Sequence, residues 1–167
     1  MTKRSASVGS RQPWAVFSGC GRYRYMLAWP AKDGGHGVAL FCLANPSTAT
    51  AERTDSTVAR CIAYATRWGY GWCHVVNVRA WRETDPKKVP ADPLAIGPLN
   101  DGVIADQVRH AQIVVAGWGK LGGRRGEEVL RLIRQNRGVP HALKLNKDGG
   151  PSHPLYLRAD LTPVPMP

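Results

Sequence analysis

The chain alternates short apolar runs with amphipathic segments, a pattern that predicts strands and helices in turn. Residues 22–29 alternate polar and apolar side chains, which is typical of a strand with one exposed face. Three further runs are continuously apolar, as strands buried on both faces of a parallel sheet are. These buried strands are predicted over residues 38–44, 73–78 and 113–116, and a fourth strand over 141–145.

Amphipathic segments between these strands predict helices. The first begins near Thr54 or Asp55, because either side chain can cap it, and the others cover residues 99–110 and 127–136. Strands that alternate with helices imply right-handed crossovers and a doubly wound sheet. We therefore expect a three-layer α/β/α fold whose central sheet has four mainly parallel strands and an additional antiparallel N-terminal strand.

Length and composition favour one domain with one core, since the chain has 167 residues and is 43% hydrophobic. A single α/β domain is predicted over residues 22–167, after an N-terminal arm over residues 1–21 that we expect to be partly disordered. No apolar run approaches the roughly 18 residues that cross a bilayer, and the N-terminal segment lacks the apolar stretch of a secretory signal. The protein is therefore predicted to be cytoplasmic, with no membrane partner.

The charge balance changes the picture, because a formal net charge of +11 and a pI near 10.0 favour polyanionic partners such as DNA or nucleotides. Many of the basic side chains follow or edge predicted strands, together with two tryptophans. An ordinary solvated surface explains the charge equally well. The residues concerned are Arg79, Arg82, Lys87, Lys88, Lys120, Arg124, Arg125, Lys144 and Lys147, with Trp81 and Trp118.

The four cysteines, Cys20, Cys42, Cys61 and Cys73, are scattered and form no C-x-x-C pair. A zinc or iron–sulfur site would require these distant residues to converge, so we interpret them as buried or free thiols. We expect no metal site and no cofactor.

Polar segments follow the predicted strands, where parallel α/β sheets bind their ligands. Asn45, Pro46, Ser47 and Thr48 follow the first buried strand and offer an amide and two hydroxyls to a water, a sugar or a phosphate; a plain turn is the alternative. Asn77 interrupts the second buried strand, where it either reads the edge of a base or is a structural amide.

Two later segments add a glycine run and a histidine. Residues 117–122 match G-x-G-x-x-G, but no acidic residue closes the following strand, so a phosphate contact from Lys120 is favoured over a dinucleotide. His153 lies in a polar loop and can stabilise an anion or move a proton, or is simply an exposed loop histidine. The candidate carboxylates are Asp55, Asp85, Asp101, Asp106 and Asp148, of which Asp55, Asp101 and Asp106 also suit helix N-termini.

A series of short motifs in this order closely resembles an uncharacterised bacterial and phage family, domain of unknown function 1643, over residues 22–165. The family's name implies no activity. The motifs are Leu43 to Ala49, Asp55 to Cys61, Trp68 to Gly71, Val76-Asn77, Thr84 to Pro86, Gly97 to Asp101, Trp118-Gly119 and His153 to Leu157.

A weaker resemblance is to the uracil-DNA glycosylase superfamily, whose members carry polar motifs after successive core strands. It implies that Asn45, with Pro46, lies at the water-activating motif, that Asn77 reads the base, and that His153 stabilises the departing base. Hydrolysis of an N-glycosidic bond to a base in DNA or a nucleotide is the implied activity, on a fold like that of the glycosylases.

The resemblance also implies how the rest of a nucleotide is held. Ser47 and Thr48 belong to the substrate-binding segment after the first buried strand. Arg79, Lys120 and Lys147 hold phosphates in this interpretation, and Trp81 or Trp118 stacks on an extruded base.

Two other hypotheses stay open. In the first, the chain is an enzyme acting on free nucleotides, with a centre at Asp55, Arg60, Asn100 and Asp101. Leu-Tyr-Leu follows His153-Pro154 where the glycosylases carry a serine-containing loop that grips the strand, which favours this hypothesis. In the second, the chain is a non-catalytic nucleic-acid or protein-binding module, because Asn45 is a weak base.

Overall fold

A mixed seven-stranded sheet forms the centre of the protein in the computed structural model, which describes residues 11–167. Across the sheet the order is β1-β2-β4-β3-β5-β6-β7. The strands are β1 (Trp14–Phe17), β2 (Arg24–Pro30), β3 (Val38–Leu43), β4 (Trp72–Asn77), β5 (Ile113–Ala116), β6 (Pro140–Ala142) and β7 (Val164–Pro165).

The neighbours β4, β3, β5 and β6 run parallel, whereas β1 and β2 on one side and β7 on the other are antiparallel to their partners. A mixed α/β fold with a mostly parallel central sheet is thus confirmed. The predicted strand count is wrong, because two short strands join the sheet edges. β1 pairs with β2 from inside the predicted N-terminal arm, and the two-residue β7 pairs with β6. Residues 1–10 of that arm lie outside the described residues.

Three α-helices connect the strands: α1 (Ser56–Arg67), α2 (Asn100–His110) and α3 (Gly123–Gln135). The Asp55 carboxylate accepts a hydrogen bond from the backbone N–H of Val58 at 2.8 Å, which confirms it as the cap of α1. Helix α3 begins four residues before its predicted start at 127, because glycines at its N-terminus weaken the sequence signal for a helix.

The helices cover opposite faces of the sheet. Leu40 and Cys42 of β3 pack on the side of α2 and α3, whereas Phe41 of the same strand packs on the side of α1. This alternation places a hydrophobic layer on each face of β3, as expected for a strand at the centre of a three-layer fold.

Strand β2 differs from its predicted half-exposed state. Residues 24–28 are all buried, because β2 lies between β1 and β4 instead of at the edge of the sheet. Arg24 is 2% exposed. As a result, the buried charge of Arg24 lies at the end of the sheet where the polar segments that follow β3 and β4 also lie.

Candidate functional site

A cavity of about 180 Å³ lies beyond the carboxyl ends of β3 and β4, and we call it the strand-end cavity. It is closed by the start of α1, by the loop after β4, and by the loop that carries His153. The structure therefore brings together at this cavity predicted residues that are far apart in the sequence. The polar lining residues are Arg24, Asn45, Ser47, Asp55, Thr57, Asn77, Glu83, Thr84 and His153.

Asn45 is fixed at the wall of the strand-end cavity by its amide nitrogen. Its Nδ2 donates to the carbonyl oxygens of Glu83 at 2.7 Å and Pro46 at 3.2 Å. Pro46 is buried, and its carbonyl also accepts a hydrogen bond from the backbone N–H of Glu83. With the nitrogen held by backbone, the Oδ1 of Asn45 is left as an acceptor for a water molecule.

Asn77 ends β4 and is 1% exposed. Its Oδ1 accepts a hydrogen bond from the Arg24 guanidinium at 3.2 Å, and its backbone oxygen accepts one from Asn100 Nδ2 at 2.9 Å. The first contact orients the side-chain amide, and the second holds the backbone at the end of the strand. Within residues 11–167 no protein atom accepts a hydrogen bond from the Asn77 Nδ2 group, which leaves a donor for a ligand in the strand-end cavity.

Arg24 brings a positive charge to the cavity wall, and sequence reasoning missed it. Burial lowers the pKa of its guanidinium to about 10, while the nearby Asp55 raises it, so the group stays charged at neutral pH. Besides Asn77, it donates to the carbonyl oxygen of Ala49 at 3.0 Å. Its Nε is buried and has no partner among the residues that the structure describes. The alternating pattern of residues 22–29 predicts a strand with one exposed face, so it gives no sign that Arg24 is buried.

His153 faces the strand-end cavity with a defined tautomer. Its Nδ1 accepts a hydrogen bond from the backbone N–H of Leu155 at 3.2 Å, so the neutral ring carries its proton on Nε2. Burial lowers the pKa of His153, and Asp55 opposes that effect by raising it. At neutral pH the ring is uncharged and offers Nε2–H as a hydrogen-bond donor.

Two carboxylates line the same cavity. Asp55 uses one oxygen to cap α1, as described above. Glu83 uses Oε1 to accept the backbone N–H groups of Thr84 at 3.0 Å and Asp85 at 3.1 Å. Glu83 was not among the candidate carboxylates, because no pattern in the sequence shows that the loop after β4 folds back over Asn45.

The remaining predicted ligand contacts lie around the strand-end cavity or away from it. Arg79 is paired with Asp92 at 2.8 Å and lines a neighbouring cavity of about 250 Å³, which shares Asn45 with the strand-end cavity. Lys120 and Lys147 are exposed and line neither of these two cavities.

A shallow groove of about 460 Å³ adjoins the strand-end cavity on its other side, and the two share Ser47, Glu83 and Thr84. Trp81 lies in this groove with its ring edge against Tyr23. The other groove residues are Gly21, Arg22, Thr48 and Arg82. An indole and two guanidinium groups beside a deep polar cavity form a surface suited to a base or sugar-phosphate.

Trp118 lies apart from the strand-end cavity, since it is 4% exposed and belongs to the core between the sheet, α2 and α3. Gly122 and Gly126 lie against its indole ring, so closely that a side chain at either position would collide with it. Gly122, the last glycine of the G-x-G-x-x-G match, and Gly126, which lies outside the match, therefore serve the packing of Trp118. The ring is not part of the lining of the strand-end cavity.

The four residues of the alternative centre are separated. Asp55 lines the strand-end cavity, whereas Arg60 donates to the carbonyl oxygen of Leu157 at 2.9 Å. Asn100 is fully buried beneath the end of β4, where it donates to the carbonyl oxygens of residues 77 and 78. Asp101 forms an ion pair with Arg125 on α3. These contacts hold the fold together and do not assemble one cluster.

A larger cavity of about 720 Å³ lies at the opposite end of the strands, between the C-terminal ends of α2 and α3. Arg109, Arg137 and His141 line it, and none of the predicted site residues does. Ligands of parallel α/β sheets bind at the carboxyl ends of the strands, so the smaller strand-end cavity is the better candidate.

The described residues form neither a metal-binding cluster nor a membrane-spanning helix. Among residues 11–167 no group of three or more His, Cys, Asp or Glu side chains is placed to hold a metal ion. Cys20 is exposed and Cys42, Cys61 and Cys73 are buried, all as free thiols. No helix in that range is long and apolar enough to cross a bilayer.

The fold and the cavity define an α/β protein whose polar side chains gather beyond the carboxyl ends of its parallel strands. The chain belongs to the family described as "Protein of unknown function (DUF1643)", whose model matches residues 22–155. That result confirms the family expected from the motifs. Neither the curated proteins nor the solved structures contain a match to this chain.

Proposed function

We propose that this protein hydrolyses the N-glycosidic bond between a nucleic-acid base and its sugar, at the strand-end cavity. The observation that carries the proposal is the convergence on one cavity of Asn45, Asn77 and His153, which are far apart in the sequence. These are the residues that match, in order, the water-activating, base-reading and base-stabilising positions of the uracil-DNA glycosylase superfamily. We extend that resemblance to the fold as part of the same proposal.

The size of the strand-end cavity favours a base as the part of the substrate that enters. Its 180 Å³ is below the roughly 300–1,000 Å³ of sites that enclose drug-sized ligands, so it suits a single ring system better than a whole nucleotide. The sugar and phosphate then lie outside, in the neighbouring groove beside Trp81, Arg22 and Arg82. An extruded base with its backbone left on the surface is the usual geometry for enzymes that act on bases in DNA.

The chemistry of the lining residues suits this bond. Cleavage builds positive charge on the sugar and negative charge on the departing base, so the site needs a positioned water and an anion stabiliser more than a strong nucleophile. The neutral His153 donates through Nε2–H to the anionic base, and the buried Arg24 charge favours the same anion. The Oδ1 of Asn45 orients the water, and the Nδ2 of Asn77 donates to a carbonyl oxygen at the edge of the base.

The charge of the molecule supports a nucleic-acid substrate. A net charge of +11 attracts polyanions through the release of their counterions. Lys120 and Lys147 are exposed cations that remain available for phosphates, whereas Arg79 is already paired with Asp92. We therefore propose DNA, or a nucleotide, as the partner and substrate.

The test is a search for released base. Purified protein is incubated with single-stranded and duplex oligonucleotides that carry uracil, hypoxanthine or modified pyrimidines, and with the free nucleotides, and the products are analysed by mass spectrometry. We expect free base from at least one oligonucleotide and none from the His153→Ala variant. Binding of DNA without release would instead indicate a non-catalytic module, and release from free nucleotides alone would exclude DNA as the substrate.

A further inference from the structure

The strand-end cavity contains a group that positions water but needs a second group to activate it. The Nδ2 of Asn45 donates to two backbone carbonyls, so its Oδ1 is the atom left to accept a hydrogen bond from a water in the cavity. An amide oxygen accepts a hydrogen bond from water, but it does not take up a proton at neutral pH. A water that attacks the sugar carbon must lose a proton, and a carboxylate in the same cavity is the natural acceptor.

Of the two carboxylates in the cavity, Asp55 is the one whose charge acts on Arg24 and His153. It raises the pKa of both groups, and all three side chains line the strand-end cavity. Glu83 lines the shallow groove as well as the cavity, and Thr84 and Asp85 hold its Oε1. Asp55 lines the strand-end cavity and not the groove.

The orientation of Asp55 is also fixed. One carboxylate oxygen accepts the hydrogen bond from Val58 that caps α1. Within the described chain, no hydrogen-bond donor engages the other oxygen. A carboxylate held by one oxygen presents the other with a defined direction, as a general base requires.

We propose that Asp55 is the general base of the strand-end cavity, an inference that rests on the proposed glycosidic hydrolysis. A water held by Asn45 forms the new C–O bond at the anomeric carbon and gives one proton to the free oxygen of Asp55. The C–N bond breaks, and its electron pair leaves with the base, which accepts a hydrogen bond from His153 Nε2–H. The proton then passes from Asp55 to solvent and the base takes one up, so that free base and free sugar hydroxyl are the products.

The Asp55→Asn variant separates the chemistry from the fold, because asparagine caps a helix about as well as aspartate does. We expect its single-turnover rate of base release to fall by roughly a hundredfold to ten-thousandfold, with substrate affinity little changed. Asp85→Asn is the matched control. Asp85 caps the short 3₁₀ turn Pro86–Lys88 and lies outside the lining of the cavity, so its substitution should leave the rate near that of the wild type.

The outcomes distinguish the role of Asp55 from the proposed glycosidic hydrolysis itself. Base release by the wild type that persists in Asp55→Asn at an unchanged rate overturns the role of Asp55 alone. A large loss in Glu83→Gln with none in Asp55→Asn assigns the base to Glu83 and overturns it as well. No release by the wild type from any substrate overturns the proposed function, and this inference with it.

Discussion

Replacement of Gly126 by alanine tests whether the glycines around Trp118 serve packing, as the structure indicates, or a bound phosphate. Gly126 lies inside α3, and a Cβ atom there would be 2.5 Å from Nε1 and 2.9 Å from Cε2 of Trp118. The indole is 4% exposed and surrounded by core residues, so it has little room to move. Either the ring or the helix must shift.

The magnitude follows from two opposing effects. Alanine gains about 0.5–1 kcal/mol over glycine inside a helix, whereas overpacking of a well-filled core costs about 1–3 kcal/mol. The collision is the larger effect, so Gly126→Ala should lose roughly 1–2 kcal/mol of unfolding free energy. Gly102→Ala in α2 is the matched control. A Cβ there has nothing within 4 Å, so the helix-propensity gain is unopposed and the variant should be more stable.

Urea unfolding of both variants and the wild type measures these effects at an unchanged m-value. In thermal unfolding, 1 kcal/mol corresponds to about 2–4 °C in Tm for a chain of this size. The two substitutions should shift stability in opposite directions. If Gly126→Ala proves as stable as Gly102→Ala, Trp118 is free to move and the packing role of Gly126 is refuted.

Two further predictions concern pH and salt. Burial lowers the pKa of His74 and His153, so the unfolded chain binds protons more tightly than the folded one. These two histidines therefore do not reduce the unfolding free energy above about pH 6.5, and they reduce it increasingly as the pH decreases below that value. Urea unfolding over this range should show a smaller fall in the His74→Gln, His153→Gln double variant, and an equal fall would contradict the assignment. Lys120→Ala and Lys147→Ala should each lower the slope of log affinity against log salt for single-stranded DNA by about 0.7, measured by fluorescence anisotropy. An unchanged slope would remove that lysine from the phosphate contacts.

Strong periodic signals made much of the fold predictable. The apolar run of β5 was predicted over its observed residues, because polar Gln112 precedes this short run and Gly117 follows it. Thr54 and Asp55 were the two predicted helix caps and Asp55 is the one observed, since a capping side chain followed by an amphipathic face specifies a helix start locally. Because ligands bind at the carboxyl ends of parallel strands, Asn45, Asn77 and His153 were predicted as site residues, and all three line one cavity.

The features that depend on distant contacts could not be predicted. Arg24 resembles a surface residue in its strand, and only the pairing of β1 with β2 makes that strand internal. Glu83 reaches Asn45 through a loop whose path no sequence pattern specifies. Trp118 follows a strand as a binding residue would, yet the core behind it has space for the ring because two glycines leave that space. In each case the tertiary environment decides what the local sequence leaves open.

The most direct test of the central claim compares base release by the wild type with release by Asn45→Ala, Asn77→Ala and His153→Ala, one residue from each of three separate parts of the chain that line the strand-end cavity. The measurement is the single-turnover rate on the oligonucleotide that the wild type cleaves, with the mass of the remaining strand recorded so that an intact abasic sugar identifies hydrolysis. The account predicts an abasic strand from the wild type and rates lowered by at least about a hundredfold in all three variants. A product strand without an abasic sugar, or three variants as fast as the wild type, would contradict it.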